Sequence, residues 1–222
     1  MTQPLRIALV DDQDLVRSGF HMILDAQKDM SVVGQACDGI DVLPMVKTTH
    51  PDIVLMDIRM PTLDGISATR AVLDTHPDLK VLILTTFDLD DYAFAGLRAG
   101  ASGFLLKDTR PTELAEAIRT VASGEAVVSP RITQRMLEMF ASSLPSSGAP
   151  PRISDSRIDA LTPREKEILV LMSQGLSNAE IAEHLVVSAT TVKTHVGNVL
   201  AKLDVRDRVQ AVVVAYETGL MA

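Results

Sequence analysis

The sequence is short of three things, and each shortage excludes something. It has one cysteine, Cys37. A single thiol rules out an intrachain disulfide and a cysteine-rich metal site, and it fits a reducing compartment. There is no apolar run near the ~20 residues that span a bilayer, so no membrane segment is expected. The opening residues, MTQPLRIALVDD, carry only a brief apolar patch and no small-residue cleavage site, so no signal peptide is expected either. A cytoplasmic location follows. Positive charge is also in short supply, with 21 Lys and Arg against 29 Asp and Glu and a formal net charge of -8. That excludes a protein that wraps nucleic acid over its whole surface; any DNA contact must come from a local patch. What the chain does have is 222 residues, 46 % of them hydrophobic, enough for two domains with cores of their own.

The first half alternates regularly. The runs RIALVD, SVVGQAC, DIVLMD, VLILTT and SGFLLK are too short for helices and rich in Val, Ile and Leu. They lack polar alternation, which points to strands buried on both faces of a parallel sheet. Between them LVRSGFHMILDA, DGIDVLPMVKTT, GISATRAVLDTH, DYAFAGLRAG and PTELAEAIRTVASG have helical spacing. The alternation predicts an α/β fold, a doubly wound five-stranded parallel sheet, over residues 1–125. Pro44 falls inside the second helical segment, where a kink is expected. Residues 126–158 break the pattern. SPRITQRMLEMF, opened by Ser129 and Pro130, reads as one more helix, and ASSLPSSGAPPRISDS as a flexible linker over 141–156. Residues 159–222 are helical throughout, beginning with a Thr162 cap and Glu165 at the capping-box position.

In a doubly wound sheet, ligands bind beyond the carboxyl ends of the strands. The polar residues there are Asp11 and Asp12 after the first strand, Asp57 after the third, Thr85 and Thr86 after the fourth, and Lys107 after the fifth. If the first strand lies beside the third, the carboxylates converge. Such a group repels itself unless a cation sits among it, and oxygen-only ligands favour Mg²⁺, which accepts phosphate oxygens. An Asp carboxylate can attack phosphorus and carry the phosphoryl group covalently. Asp57, alone at the tip of a central strand, is best placed to do so. A single aspartate at a strand end is ordinarily a turn residue or a cap, and a single lysine there is ordinarily solvated. The argument rests on the whole set standing at one edge.

The segments VDDQDLVRSGF, DIVLMDIRMPTLDG, LTTF and GASGFLLKD closely resemble the signatures of a response-regulator receiver domain, at that family's spacing. The resemblance implies a flavodoxin-like fold with Asp57 as phosphoacceptor and a sensor histidine kinase as partner. It also implies Asp11, Asp12, Asp57 and the backbone carbonyl of Arg59 as Mg²⁺ ligands, and Thr85 and Lys107 as phosphoryl contacts. Phe104 takes the place of the switch aromatic that turns inward as the threonine moves toward the phosphate. Asp108 stands where many receivers have proline, which argues against a cis Lys107–Asp108 bond. A rival resemblance is to haloacid-dehalogenase-type phosphatases, through the Asp-x-Asp of Asp12 and Asp14. Val16 replaces the threonine of that motif. A second rival is a DNA-binding protein controlled without phosphate.

The end of the chain has helix-turn-helix grammar. NAEIAEHL presents Ile181, Ala182 and Leu185 to a core. After the turn VVSA, a longer helix turns Val192, Val196, Val199, Leu200 and Leu203 inward and Thr190, Thr191, Lys193, Thr194, Asn198 and Lys202 outward. Such a helix fits the major groove of double-stranded DNA. Residues 153–222 carry a net charge of -2, but residues 184–208 carry +2, so the positive patch is where that helix lies. LTPREKEIL, GLSNAEIAEHL, TVKTHVGNVLAKL and RVQAVVVAYETGL closely resemble the LuxR-type helix-turn-helix. Receiver plus this domain is the arrangement of the NarL/FixJ response regulators, which are transcription regulators and not metabolic enzymes. The resemblance implies Lys193 and Thr194 as base readers and Thr191 and Lys202 as phosphate contacts. It also marks Gly197, where some relatives have a base-contacting lysine. A homodimer on phosphorylation is expected. The apolar last helix offers Val209, Val212, Val213 and Tyr216 for pairing two copies, and the receiver segments DYAFAGLRAG and GFLLK lie where they can sense the phosphate.

Overall fold

The computed structural model describes residues 3–86, 92–123, 127–128 and 156–221. They belong to two compact units, divided at Val127 and Val128.

The first unit alternates strand and helix, as its sequence pattern requires: β1 (Leu5–Val10), α1 (Asp14–Asp25), β2 (Met30–Ala36), α2 (Val42–Thr49), β3 (Ile53–Asp57), α3 (Gly65–Thr75), β4 (Lys80–Thr85), α4 (Tyr92–Arg98), β5 (Gly103–Leu106) and α5 (Pro111–Ala122). The sheet order is β2-β1-β3-β4-β5, and all four pairings are parallel. A two-residue strand, β6 (Val127–Val128), adds a sixth position beside β5. Two residues make no recognisable apolar run, so the sequence pattern predicts five strands only.

Both faces of the sheet are covered, and this is why the strand sequences do not alternate. Ile7, Leu9, Ile53, Leu55, Leu82, Leu84 and Leu105 join Phe20 and Leu24 of α1 and Leu114 and Ile118 of α5 in one core. The intervening residues Ala8, Val54, Met56, Val81 and Ile83 are equally inaccessible. Each of these side chains larger than alanine contributes roughly 1.5–3 kcal/mol of transfer free energy.

Pro44 does not kink α2. A single 3₁₀ turn, Gly39–Asp41, precedes the helix, which begins at Val42. Pro44 therefore stands in the first turn, where backbone N–H groups have no intrahelical partner to lose. No cis peptide occurs among the described residues, so Lys107–Asp108 is trans. The expected helix at 129–140 and the linker at 141–156 lie outside the described residues, apart from Ser156.

The second unit contains α6 (Ser156–Asp159), α7 (Pro163–Ser173), α8 (Asn178–Leu185), α9 (Ala189–Leu203) and α10 (Arg208–Glu217). Its helix starts are set by short polar side chains. Thr162 with Glu165, and Ser177 with Glu180, form complete capping boxes, and Ser188 accepts from the Thr191 N–H at the start of α9. Ile168, Leu169, Met172, Ile181, Val192, Val199, Leu203, Ala211 and Val214 form the core, with Leu185, Val196 and Leu200 packed at its margin. The last helix differs from the open apolar strip expected of it. Val209 and Val213 are already buried, Val212 packs against the helical core, and the Tyr216 hydroxyl donates to the Ser173 carbonyl at 3.1 Å.

Candidate functional site: an acidic mouth and a recognition helix

The chain leaves β1 for β2 on one side and reaches β3 on the other. The strand order reverses between β1 and β3, and a crevice opens beyond their carboxyl ends. Asp11 follows β1 directly and Asp57 is the last residue of β3. One oxygen each from Asp11, Asp12 and Asp57 lie within 4.8 Å of one another. Asp11 and Asp57 are buried, at 3 % and 4 % exposed, and Asp12 is at the surface. Lys107 closes the group. Its Nζ lies 2.7 Å from Asp11 Oδ2 and 3.0 Å from Asp57 Oδ2. The Gln13 N–H donates to Asp11 Oδ1, and the Ile58 N–H donates to Asp57 Oδ1 at 2.8 Å. Burial pushes the Asp57 carboxyl above its ordinary range. The hydrogen bond and charge of Lys107 oppose this, and the charge of Asp11 adds to it.

This donor set fits a divalent cation. All three side chains offer hard oxygen atoms, the family of ligands that Mg²⁺ and Ca²⁺ take. Two of the carboxylates share a single ammonium, which leaves the group net negative.

Thr85 is buried at the end of β4, with its hydroxyl donating to the Thr86 carbonyl. Phe104 is fully buried on β5. An ideal Cβ at Gly96 of α4 would stand 3.5 Å from the Phe104 ring, so the aromatic is turned inward against that helix. Arg59 lies on the loop 58–64 that follows Asp57, with its side chain exposed. Asp14, the second acid of the phosphatase-like motif, points away from such a role: it opens α1, is 87 % exposed and pairs with Arg17.

Two features of this mouth escape a reading of the sequence. An ideal Cβ at Gly65 would stand 1.9 Å from the Asp57 carbonyl oxygen. Asp38, which caps the 3₁₀ turn, also accepts hydrogen bonds from the Thr62 and Leu63 N–H groups. The Asp-Gly pair at 38–39 was the only local signal.

In the helical unit, α8 and α9 form the helix-turn-helix. Thr190, Thr191, Lys193, Thr194, Asn198 and Lys202 are all exposed on α9, opposite the buried Val192, Val199 and Leu203. Thr194 donates to the Thr190 carbonyl, and the Thr191 and Ser188 hydroxyls share a hydrogen bond. Lys202 is committed elsewhere: its Nζ lies 2.7 Å from Oε2 of Glu165, a buried residue at the start of α7. A Cβ at Gly197 would meet nothing within 4 Å.

An open parallel sheet with this mouth at its switch point, in one chain with a helix-turn-helix, is the make-up of a response regulator. Comparison with known proteins agrees in both parts. Residues 7–119 match the response regulator receiver domain, and residues 159–215 match the luxR family of bacterial regulatory proteins. The chain is 44 % identical over 218 residues to the uncharacterized transcriptional regulatory protein YxjL of Bacillus subtilis, spanning 98 % of this chain and 97 % of that one. It is 38 % identical over 217 residues to the transcriptional regulatory protein LiaR of the same organism, spanning 98 % and 99 %. Among solved structures, the response regulator ChrA of a heme-sensing two-component system is 35 % identical, with a TM-score of 0.54 over 99 % of this chain and 100 % of that one. The protein belongs to the two-component response regulators that join a receiver to a LuxR-type DNA-binding domain. That family regulates transcription and is not one of typical enzymes. Among the described residues no helix is long and apolar enough to cross a membrane.

Proposed function

We propose that a sensor histidine kinase phosphorylates this protein on Asp57, and that the phosphorylated form binds double-stranded promoter DNA as a homodimer, in the cytoplasm. The working parts are a receiver over 1–125, a connecting segment over 126–158 and a DNA-binding domain over 159–222. The observation that carries the reading is the placement of Asp57. It is a buried, desolvated carboxylate at the switch point of the sheet, with two further carboxylates and one ammonium beside it.

The Ile58 N–H holds one Asp57 oxygen and so orients the carboxylate for attack on phosphorus. Asp11, Asp12, Asp57 and the Arg59 carbonyl are the groups that would hold Mg²⁺, which when bound supplies positive charge to the phosphoryl oxygens. Lys107 lies within reach of the same oxygens once Asp57 carries the phosphoryl group, and Thr85 stands at the adjacent strand end. The chemistry of the chain is confined to its own phosphorylation and dephosphorylation. Output passes to α9, with Lys193 and Thr194 reading bases and Thr190, Thr191 and Asn198 supporting them along the groove, while the Lys202 ammonium is held by Glu165.

The test is labelling by a small phosphodonor with Mg²⁺. Asp57→Asn should abolish it, because an amide does not attack phosphorus, and Asp12→Ala should reduce it through weaker metal binding. Labelling of Asp57→Asn at the wild-type level would place the acceptor elsewhere.

A further inference from the structure

Asp38 is one of the few buried charged residues of the receiver, at 8 % exposed. Its carboxylate accepts three backbone hydrogen bonds. One is local, from the Ile40 N–H to Oδ1 at 3.2 Å, and caps the 3₁₀ turn. The other two cross to a distant segment: the Leu63 N–H reaches Oδ1 at 3.1 Å and the Thr62 N–H reaches Oδ2 at 2.8 Å. Burial disfavours the charged form here, but the N–H groups of Thr62, Ile40 and Leu63 outweigh it and hold the carboxyl below its ordinary range.

Thr62 and Leu63 belong to the loop 58–64, which begins immediately after Asp57 and contains Arg59. Its two ends are fixed independently. At the near end the Gly65 N–H donates to the Ile58 carbonyl at 2.8 Å. At the far end Asp64 caps α3 through the Ile66 and Ser67 N–H groups. Between these anchors the long-range hydrogen bonds to Asp38 tie the loop to the end of β2. The neighbouring Gly39 reinforces the tie, since an ideal Cβ there would stand 2.2 Å from the Leu63 carbonyl oxygen.

We infer that Asp38 is a positioning residue for the phosphorylation site: its carboxylate clamps the loop 58–64, and with it the backbone of Arg59, beside Asp57 for the metal ion and the phosphoryl group. The inference rests on Asp57 as the acceptor. Asp38 touches neither reacting group and acts through the loop. Groups that orient metal ligands from behind typically govern affinity by 10–100-fold when removed. The division of work between the two oxygens separates this role from simple capping. Oδ1 alone serves the turn, whereas Oδ2 serves only the loop. Asp38→Asn with its carbonyl at the Oδ1 position keeps the cap and the Leu63 hydrogen bond and sets an N–H₂ group against the Thr62 N–H, so the Thr62 half of the clamp is lost while the turn is not.

The experiment uses the full chain. Mg²⁺ binding is measured by calorimetry, amide hydrogen exchange is followed over 58–64, and labelling by acetyl phosphate is measured at limiting and at saturating Mg²⁺. Asp38→Asn should weaken Mg²⁺ binding roughly tenfold or more and speed exchange over the loop. Labelling should fall most at limiting Mg²⁺ and recover substantially at saturation. Gly39→Ala leaves Asp38 in place and presses on Leu63. It should show the same pattern, and it decides the matter where Asp38→Asn does not fold. Wild-type Mg²⁺ affinity with unchanged exchange over 58–64 in a folded Asp38→Asn protein would overturn the inference and leave Asp38 a turn cap. Failure of the underlying reading looks different, because Asp57→Asn would then be labelled while the Mg²⁺ and exchange results stood.

Discussion

At the scale of single residues, the mouth works because very little separates its groups. Lys107 pairs with Asp11 and Asp57 at once, and the backbone around Asp57 has no slack. Gly65 shows how tight it is. As the first residue of α3 it would ordinarily gain from replacement by alanine, by up to about 1 kcal/mol of helix propensity. Here the added Cβ would lie 1.9 Å from the Asp57 carbonyl oxygen and 2.9 Å from its carbon, both backbone atoms that cannot swing aside. The clash outweighs the propensity. Gly65→Ala should destabilise the receiver by about 1–3 kcal/mol and displace the acceptor, lowering both the thermal midpoint and the labelling rate. A midpoint at or above that of wild type would show that the loop yields freely. That Asp11, Asp12, Asp57 and Lys107 meet at one edge of the sheet was legible in the sequence because each follows an apolar run. Gly65 and Asp38 were not, because their importance lies in contacts with atoms 8 to 25 residues away.

At the scale of elements, strands and helix starts were legible for physical reasons. Uninterrupted Val, Ile and Leu mark strands covered on both faces, and Thr162, Ser177 and Ser188 each supply an oxygen to an unpaired N–H. What was not legible is how one helix is tied to another. Lys202 reads as a groove-facing cation on α9, yet it pairs with Glu165, which also accepts from the Thr162 N–H at 2.7 Å. The recognition helix is thereby fastened to the start of α7. The Lys202 hydrogen bond lowers the Glu165 carboxyl, burial opposes it, and the Thr162 N–H and hydroxyl add to the lowering. A lowered carboxyl contributes stability that is present above its ordinary value of 4.5 and lost as pH falls through its folded value. Glu165→Gln keeps a capping-box residue but removes the charge. It should melt below wild type at neutral pH, and the gap should close as pH falls below about 4.5; a gap independent of pH would mean that the ion pair contributes nothing. Lys193 has no such second duty in the reading proposed here. Lys193→Ala should weaken operator binding by about 1–3 kcal/mol with the fold intact, and unchanged affinity would show that another face meets the DNA.

At the scale of the whole molecule, charge limits what one copy can do. The chain carries -8 overall and residues 153–222 carry -2, so only the +2 segment over 184–208 favours DNA. Few phosphates are neutralised by one helical unit, and binding by counterion release is correspondingly weak. Two units on neighbouring half-sites escape this limit, because the second contact becomes effectively intramolecular and gains roughly 10²–10⁴-fold. Of the apolar strip of α10 that the sequence suggested for pairing them, Val209 and Val213 are buried, whereas Val212 and Tyr216 stay partly exposed. The receiver is the part able to report phosphate to a pairing surface: Phe104 packs fully buried beside Gly96 of α4, one strand from Thr85, so a shift of Thr85 toward a phosphoryl group on Asp57 would reach that helix through the ring. Phosphorylation should therefore raise the dimer fraction, and operators should consist of paired half-sites about one helical turn apart. Sedimentation with and without a phosphoryl mimic, on free protein and on single and paired half-sites, measures this directly. The mimic should shift free protein toward dimer and tighten binding to paired sites by roughly a hundredfold over single ones. A monomer that holds a single half-site equally tightly, whether or not the mimic is present, would overturn the assembly model.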